Sequence, residues 1–130
     1  MARYKITVVT GNVDSAGTDA NVYIQLVGEL GKADPLPRKI RLDNQYDNFE
    51  RGRTDSFTVD APDLTTLSEI IIGHDNSGSH PGWFLDRVFI RNEDRGLDWT
   101  GRANRWLARD EEDGRTEVRL PAVRGRDHRR

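Results

Sequence analysis

Cysteine is absent from this chain, which excludes both disulfides and thiolate metal sites and leaves the redox compartment open. No apolar run approaches the roughly 20 residues that a bilayer-spanning helix needs. The first residues, MARYKITVVT, enter a strand-like alternation rather than a signal-peptide core. Neither sign of charge dominates: 20 Lys plus Arg stand against 22 Asp plus Glu, a net charge of -2, so no strong field points to nucleic acid. The 3 histidines are too scattered to propose zinc. Helical periodicity of any convincing length is missing as well. These absences leave a soluble chain of 130 residues, the size of one domain with a real core. With no export signal, a cytoplasmic setting is expected, with peripheral membrane contact as a further option.

What is present is a series of short strands punctuated by turn residues. Tyr4 to Thr10 alternates Tyr4, Ile6 and Val8 against Lys5, Thr7 and Val9. Asn21 to Gly28 sends Val22, Ile24 and Leu26 to one face, and Arg38 to Leu42 is a short charged strand suited to a sheet edge. Thr54 to Val59 follows, then Leu67 to Gly73 with the continuous run Ile70, Ile71, Ile72. Trp83 to Arg91, Leu97 to Thr100 and Thr116 to Leu120 complete eight strands, with Gly101 to Gly114 read as irregular and holding one helical turn near Trp106. Eight short strands in a chain of this length predict an all-β antiparallel sandwich. It spans residues 1–121 and is followed by a loose basic tail at 122–130.

The densest chemistry lies in Leu42 to Thr54, LDNQYDNFERGRT, which packs Asp43, Asn44, Asp47, Asn48 and Glu50 into one connection. These are hard oxygen ligands of the kind calcium takes. AGTDAN at Ala16 to Asn21 and GHDNSG at Gly73 to Gly78 pair carboxylates or amides with glycine in the same way. If every connection reverses the chain, loops after odd-numbered strands share one end of the sandwich. The three oxygen-rich loops follow strands one, three and five, so they gather there, and loop seven with Asp110, Glu111, Glu112 and Asp113 joins them.

Four segments, AGTDANVYIQLVG, LDNQYDNFERGRTDSFTV, IIIGHDNSGSHPGWFLDRVFI and NRWLARDEEDG, closely resemble the PLAT domain, the β-sandwich shared by polycystins, lipoxygenases and bacterial phospholipase C toxins. The match runs from about Tyr4 to Pro121, with the motifs in the family's order and spacing. The resemblance implies an eight-stranded sandwich of two four-stranded sheets. It also implies a non-catalytic module that docks onto membranes or protein partners, in several members with bound calcium. The calcium positions implied are Gly17 and Thr18 through carbonyls, Asp19 through its carboxylate, and Asp43, Asn44, Asp47, Asn48 and Glu50 in the next acidic loop. The acid that some lipoxygenases place shortly before the tryptophan of the WFL-like motif is replaced here by Ser79, His80 and Pro81, so Asp75 or Asn76 is the substitute ligand. A site of this kind would bind calcium with a dissociation constant of roughly 10⁻⁵ to 10⁻³ M.

Each reading has a plainer rival. Asp and Asn in loops commonly cap their own turns, and Glu50 beside Arg51 and Arg53 reads equally well as a surface ion pair. His74, Asp75 and Ser77 invite a hydrolytic reading, but neighbours at a strand end point in opposite directions and no nucleophile elbow is visible, so no enzyme is expected. For bilayer insertion only Val13 and Tyr46 stand out, since Trp83 and Trp106 read as core anchors and Trp99 sits on a strand. The expectation is a monomeric, calcium-binding module that docks onto a protein partner or an anionic membrane surface, without nucleic acid. The alternative is a calcium-independent interaction or structural domain.

Overall fold

The computed structural model describes residues 2–28, 39–43 and 48–125. Within them lie nine strands: β1 (Ala2–Thr10), β2 (Val22–Gly28), β3 (Ile40–Arg41), β4 (Thr54–Ala61), β5 (Leu67–His74), β6 (Trp83–Asn92), β7 (Leu97–Leu107), β8 (Glu117–Pro121) and β9 (Val123–Arg124). They form two antiparallel sheets, a five-stranded one in the order β4-β1-β6-β7-β9 and a four-stranded one in the order β3-β2-β5-β8. No helix among the described residues is long and apolar enough to cross a membrane.

Two expectations are corrected. The segment from Gly101 to Leu107 continues β7 instead of turning irregular, because, apart from a bulge at Ala103 and Asn104, its residues pair with β6 as far as Trp83 opposite Leu107. Val123 and Arg124, placed in the tail from sequence, pair with Thr100 and Trp99 and add a fifth strand to one sheet. The remaining tail, residues 126–130, lies outside the described residues, as does the connection from Glu29 to Pro37.

Period-two alternation places the core where the pattern puts it. Tyr4, Ile6 and Val8 of β1, Ile24 of β2, Ile70 and Ile72 of β5, and Val88 and Ile90 of β6 are fully buried between the sheets. Trp83 and Trp99 fill the two largest spaces, and the Trp83 indole N–H is satisfied by the Thr10 hydroxyl at 3.0 Å. Trp106 departs from the expected anchor role. It is only partly buried and lies edge-on to Phe84, with ring centroids 5.4 Å apart, on the outer side of the five-stranded sheet.

Gly73 breaks the β-branched run of β5 for a steric reason. A Cβ there would come within 2.5 Å of the Thr116 carbonyl and 2.8 Å of the Glu117 Cα, so only glycine lets β8 close against β5. Tyr23 then crosses the bare backbone and donates from its hydroxyl to Glu117 at 2.9 Å. Lys39 covers the Tyr23 ring at 4.6 Å and pairs with the same carboxylate at 2.9 Å.

His74 closes the end of β5. Its Nδ1 accepts from the Asn76 amide at 3.0 Å, which leaves the proton on Nε2 to donate to the Leu107 carbonyl at 2.7 Å. One neutral ring thus ties β5, loop five and the end of β7 together. Burial pushes its pKa down, against the opposing effects of the Leu107 hydrogen bond and the Asp75 charge.

Two predictions follow from this core. Gly73→Ala should destabilise the fold by about 1–3 kcal/mol, read as a lower midpoint in urea, because β8 must move away. A His74 pKa depressed in the folded state means that the unfolded chain binds the proton more readily. Stability should therefore be complete above about pH 6.5 and fall below it by at most about 1.4 kcal/mol per pH unit. In His74→Gln, melts between pH 7.5 and 5.5 should be lower throughout but visibly flatter; an unchanged slope would assign the acid sensitivity to other groups.

Candidate functional site

Loops one (11–21), three (described at 42–43 and 48–53), five (75–82) and seven (108–116) meet at one end of the sandwich. Loop one is the hub. Its Thr10 and Gly11 ends are tied to loop three, with Thr10 N–H donating to the Arg53 carbonyl at 3.0 Å and Gly52 N–H to the Gly11 carbonyl at 2.9 Å. Further on, the Thr18 amide donates to the Phe49 carbonyl at 3.0 Å. Gly17 makes that approach possible, since a Cβ would lie 2.8 Å from the Phe49 oxygen and 3.1 Å from the Arg51 nitrogen. The glycine of AGTD is therefore required for contact between two loops.

Loop three is anchored in turn by Phe49. Its φ of 63° is in the left-handed region, which costs a non-glycine residue roughly 1–2 kcal/mol. The ring is buried and packs 5.6 Å from Phe57 and 5.4 Å from Trp83, centroid to centroid. Its amide donates to the buried Asp55 carboxylate at 2.8 Å, and Arg53 pairs with the other carboxylate oxygen at 3.0 Å. Burying the ring returns about 1.5–3 kcal/mol, enough to offset the strain even before the hydrogen bond to a charged acceptor is counted.

Loop five meets loop one through two carboxylates. Asp19 accepts from the His80 amide at 3.0 Å and from the Ser79 amide and hydroxyl at 3.2 and 3.1 Å. The His80 bond first, with Ser79 adding to it, holds this carboxyl below its ordinary pKa. Asp75 accepts from the Ser77 hydroxyl and amide and from the Asn21 side chain and amide. These donors hold it well below the usual carboxylate range, Ser77 contributing most. Ser77 thus donates to Asp75 and not to His74, so these residues form no nucleophile–base pair. The Thr18 hydroxyl completes the junction by donating to the Pro81 carbonyl at 2.6 Å.

Between loops one and three opens a cavity of about 220 Å³. Of the residues singled out from sequence, Thr18, Asp19, Asp43, Asn48 and Glu50 line it, together with Asn21 and Arg41. Gly17 stands behind it, at the loop contact. Asp75 and Asn76 are not among its walls, because both are engaged in the turn of loop five; Asn44 and Asp47 lie outside the described residues. The amide oxygen of Asn48 is buried and has no hydrogen-bond partner among the described residues, an uncommon condition that an added donor or cation would relieve. The donor set consists of oxygens alone, which fits calcium in kind. Among the described residues no three His, Cys, Asp or Glu side chains approach closely enough to hold an ion by themselves. A calcium ion here would be held by Asp43, Asn48 and Glu50 with backbone carbonyls, and Asp19 would have to share a carboxylate that already serves loop five.

Sequence reading missed two participants. Asp55 was legible, since alternation along Thr54 to Phe57 gives it the inward parity of Phe57, and an inward carboxylate signals a buried partner. Arg41 on the cavity rim, 3.7 Å from Asp43, also follows from parity, the two being two residues apart at a strand end. A second cavity, of about 450 Å³, lies where loops five and seven meet and is lined by Trp106, Pro81, His80 and Arg109, among others.

The chain's similarity to known proteins agrees with this geometry. A family model for the PLAT/LH2 domain matches residues 4–120. Lipoxygenase homology domain-containing protein 1 of Mus musculus is 46% identical over 120 residues, covering 91% of this chain and 6% of that protein. The chain therefore spans only a small part of that relative's length. Among solved structures, a coral 8R-lipoxygenase, described as showing calcium activation via a C2-like domain, superposes with a TM-score of 0.77 at 28% identity, over 93% of this chain and 17% of that one. A calcium-dependent 11R-lipoxygenase superposes with a TM-score of 0.67 at 26% identity, over 94% of this chain and 17% of that one. The sandwich, its loop cluster and a family match over nearly its whole length lead to one conclusion: this chain belongs to the PLAT/LH2 domain family.

Proposed function

We propose that this domain is a calcium-binding interaction module whose odd-numbered loops form the docking end. The observation that carries the reading is a cavity whose walls include Asp19, Asp43, Asn48 and Glu50, with an Asn48 amide oxygen that finds no hydrogen-bond partner among the described residues. The calcium dependence stated for the two lipoxygenases of the same fold supports it. Calcium supplies positive charge to an acidic loop cluster and a rigid set of oxygen contacts. The chain's own residues supply the rest: Phe49 and Asp55 hold loop three in position, and Gly17 lets loop one close against it. The role is one of docking, not catalysis, with a protein partner or an anionic membrane surface as the target and the cytoplasm as the setting. Val13 is the one large apolar side chain exposed among the described loop residues, which favours surface contact over deep insertion.

A thermal melt with calcium and with chelator tests this. Calcium at 100 times its dissociation constant should stabilise the fold by about 2.7 kcal/mol. Asp43→Ala with Asn48→Ala should abolish the shift and leave the metal-free melt nearly unchanged. Asp19→Ala should lower the metal-free melt itself, because the staple between loops one and five is lost. No calcium shift in the unmodified chain would favour the calcium-independent interaction domain, in which the same residues only close turns.

A further inference from the structure

Arg41 is the one cation among the described residues that line the Asp43–Asn48–Glu50 cavity. It ends the two-residue strand β3, held opposite Tyr23 by pairing with β2 and by the Leu42 amide donating to the Val22 carbonyl at 2.8 Å. Residues 41 and 43 share a side of the chain, which carries the guanidinium Nη2 to 3.7 Å from the Asp43 carboxylate. The neighbouring arginines are committed elsewhere. Arg51 pairs with Asp14 at 3.0 Å and donates to Asn12, and Arg53 pairs with Asp55 at 3.0 Å. By contrast, the Arg41–Asp43 pair is long, and both its side chains are more than half exposed, at 62% and 59%. Such a pair is loose enough to exchange one cation for another.

Resting on the calcium reading above, we propose that Arg41 is the internal counter-ion of the site. Its guanidinium neutralises Asp43 in the metal-free domain, and calcium must displace it to take that carboxylate. Arg41 thereby sets the calcium concentration at which the loops load. The site is then neither permanently filled nor left as a cluster of repelling acids. Even after displacement the guanidinium stays at the rim, where its repulsion of a divalent ion in high dielectric weakens binding by about three- to ten-fold.

Isothermal titration calorimetry with calcium chloride at fixed ionic strength tests this on the whole chain, with Arg41→Gln set beside Arg119→Gln. The second variant removes the same charge from β8, where Arg119 pairs with Glu69 at 2.7 Å and is not among the residues lining the cavity. Metal-free melts establish that both variants are folded. Calcium should bind Arg41→Gln about three- to ten-fold more tightly than the unmodified chain, and Arg119→Gln within about two-fold of it. Binding by Arg41→Gln alone would support the proposal in a stronger form. Equal affinities in the unmodified chain and Arg41→Gln would overturn the counter-ion role while leaving the calcium reading intact. Weaker binding by Arg41→Gln would overturn it too, because Arg41 would then be positioning Asp43 for the ion. No binding by any of the three up to roughly 10 mM would remove the calcium reading and this inference together.

Discussion

The hydrogen bond from the Phe49 amide to the buried Asp55 carboxylate is the constraint on which the loop end depends. Phe49 holds a left-handed backbone at the point where loop three enters the core, and this bond adds to the ring burial that offsets the strain. With it, the Phe49 ring sits against Phe57 and Trp83, and its carbonyl is presented to Thr18 of loop one. A core contact and a loop contact are thus made by a single residue. The segment from Asn48 to Arg53 is therefore anchored, with its Asn48 and Glu50 at the cavity.

From that anchor the carboxylates divide into two groups. Asp19 and Asp75 are turned into the protein's own amides and hydroxyls, where they bind loop one to loop five. Asp43 and Glu50 remain exposed at the cavity between loops one and three, which Asn48 also lines. A carboxylate has a limited number of lone pairs, and those filled by backbone donors are less available to an ion. The division explains how one end of the sandwich can be ordered without a metal and still offer oxygens to one. Neutral His74 contributes to the same order by bonding both the turn of loop five and the end of β7.

Much of this arrangement is legible in the sequence. Alternation locates the strands and the inward residues, and strand parity alone brings loops one, three, five and seven to one end, where hydrogen bonds join the first three and a shared cavity adjoins the fourth. The errors came where local pattern is weak. Residues 101–107 look irregular because Gly101, Ala103 and Asn104 lack strand character; they are strand because β6 offers partners to Gly101 and Arg102 and to Arg105, Trp106 and Leu107, on either side of a bulge that takes up Ala103 and Asn104. Trp106 resembled a core anchor by motif, yet the bulge between Leu85 and Arg87 lies between it and the central rows of the sheet, and its ring packs on Phe84 at the partly exposed end of the sheet.

What the sequence by itself determined is the fold class, most of the strands and the oxygen-rich composition of the loop end, because period-two burial and turn composition are local properties. Only the tertiary structure decided which oxygen serves which purpose. Whether Asp19 is a ligand or a staple depends on the amides that stand opposite it, and Ser79 and His80 are 60 and 61 residues away in the chain. The same holds for Gly17, whose missing Cβ matters only because Phe49 lies against it. Contacts of that range are set by how two sheets close on each other, and no local pattern records them.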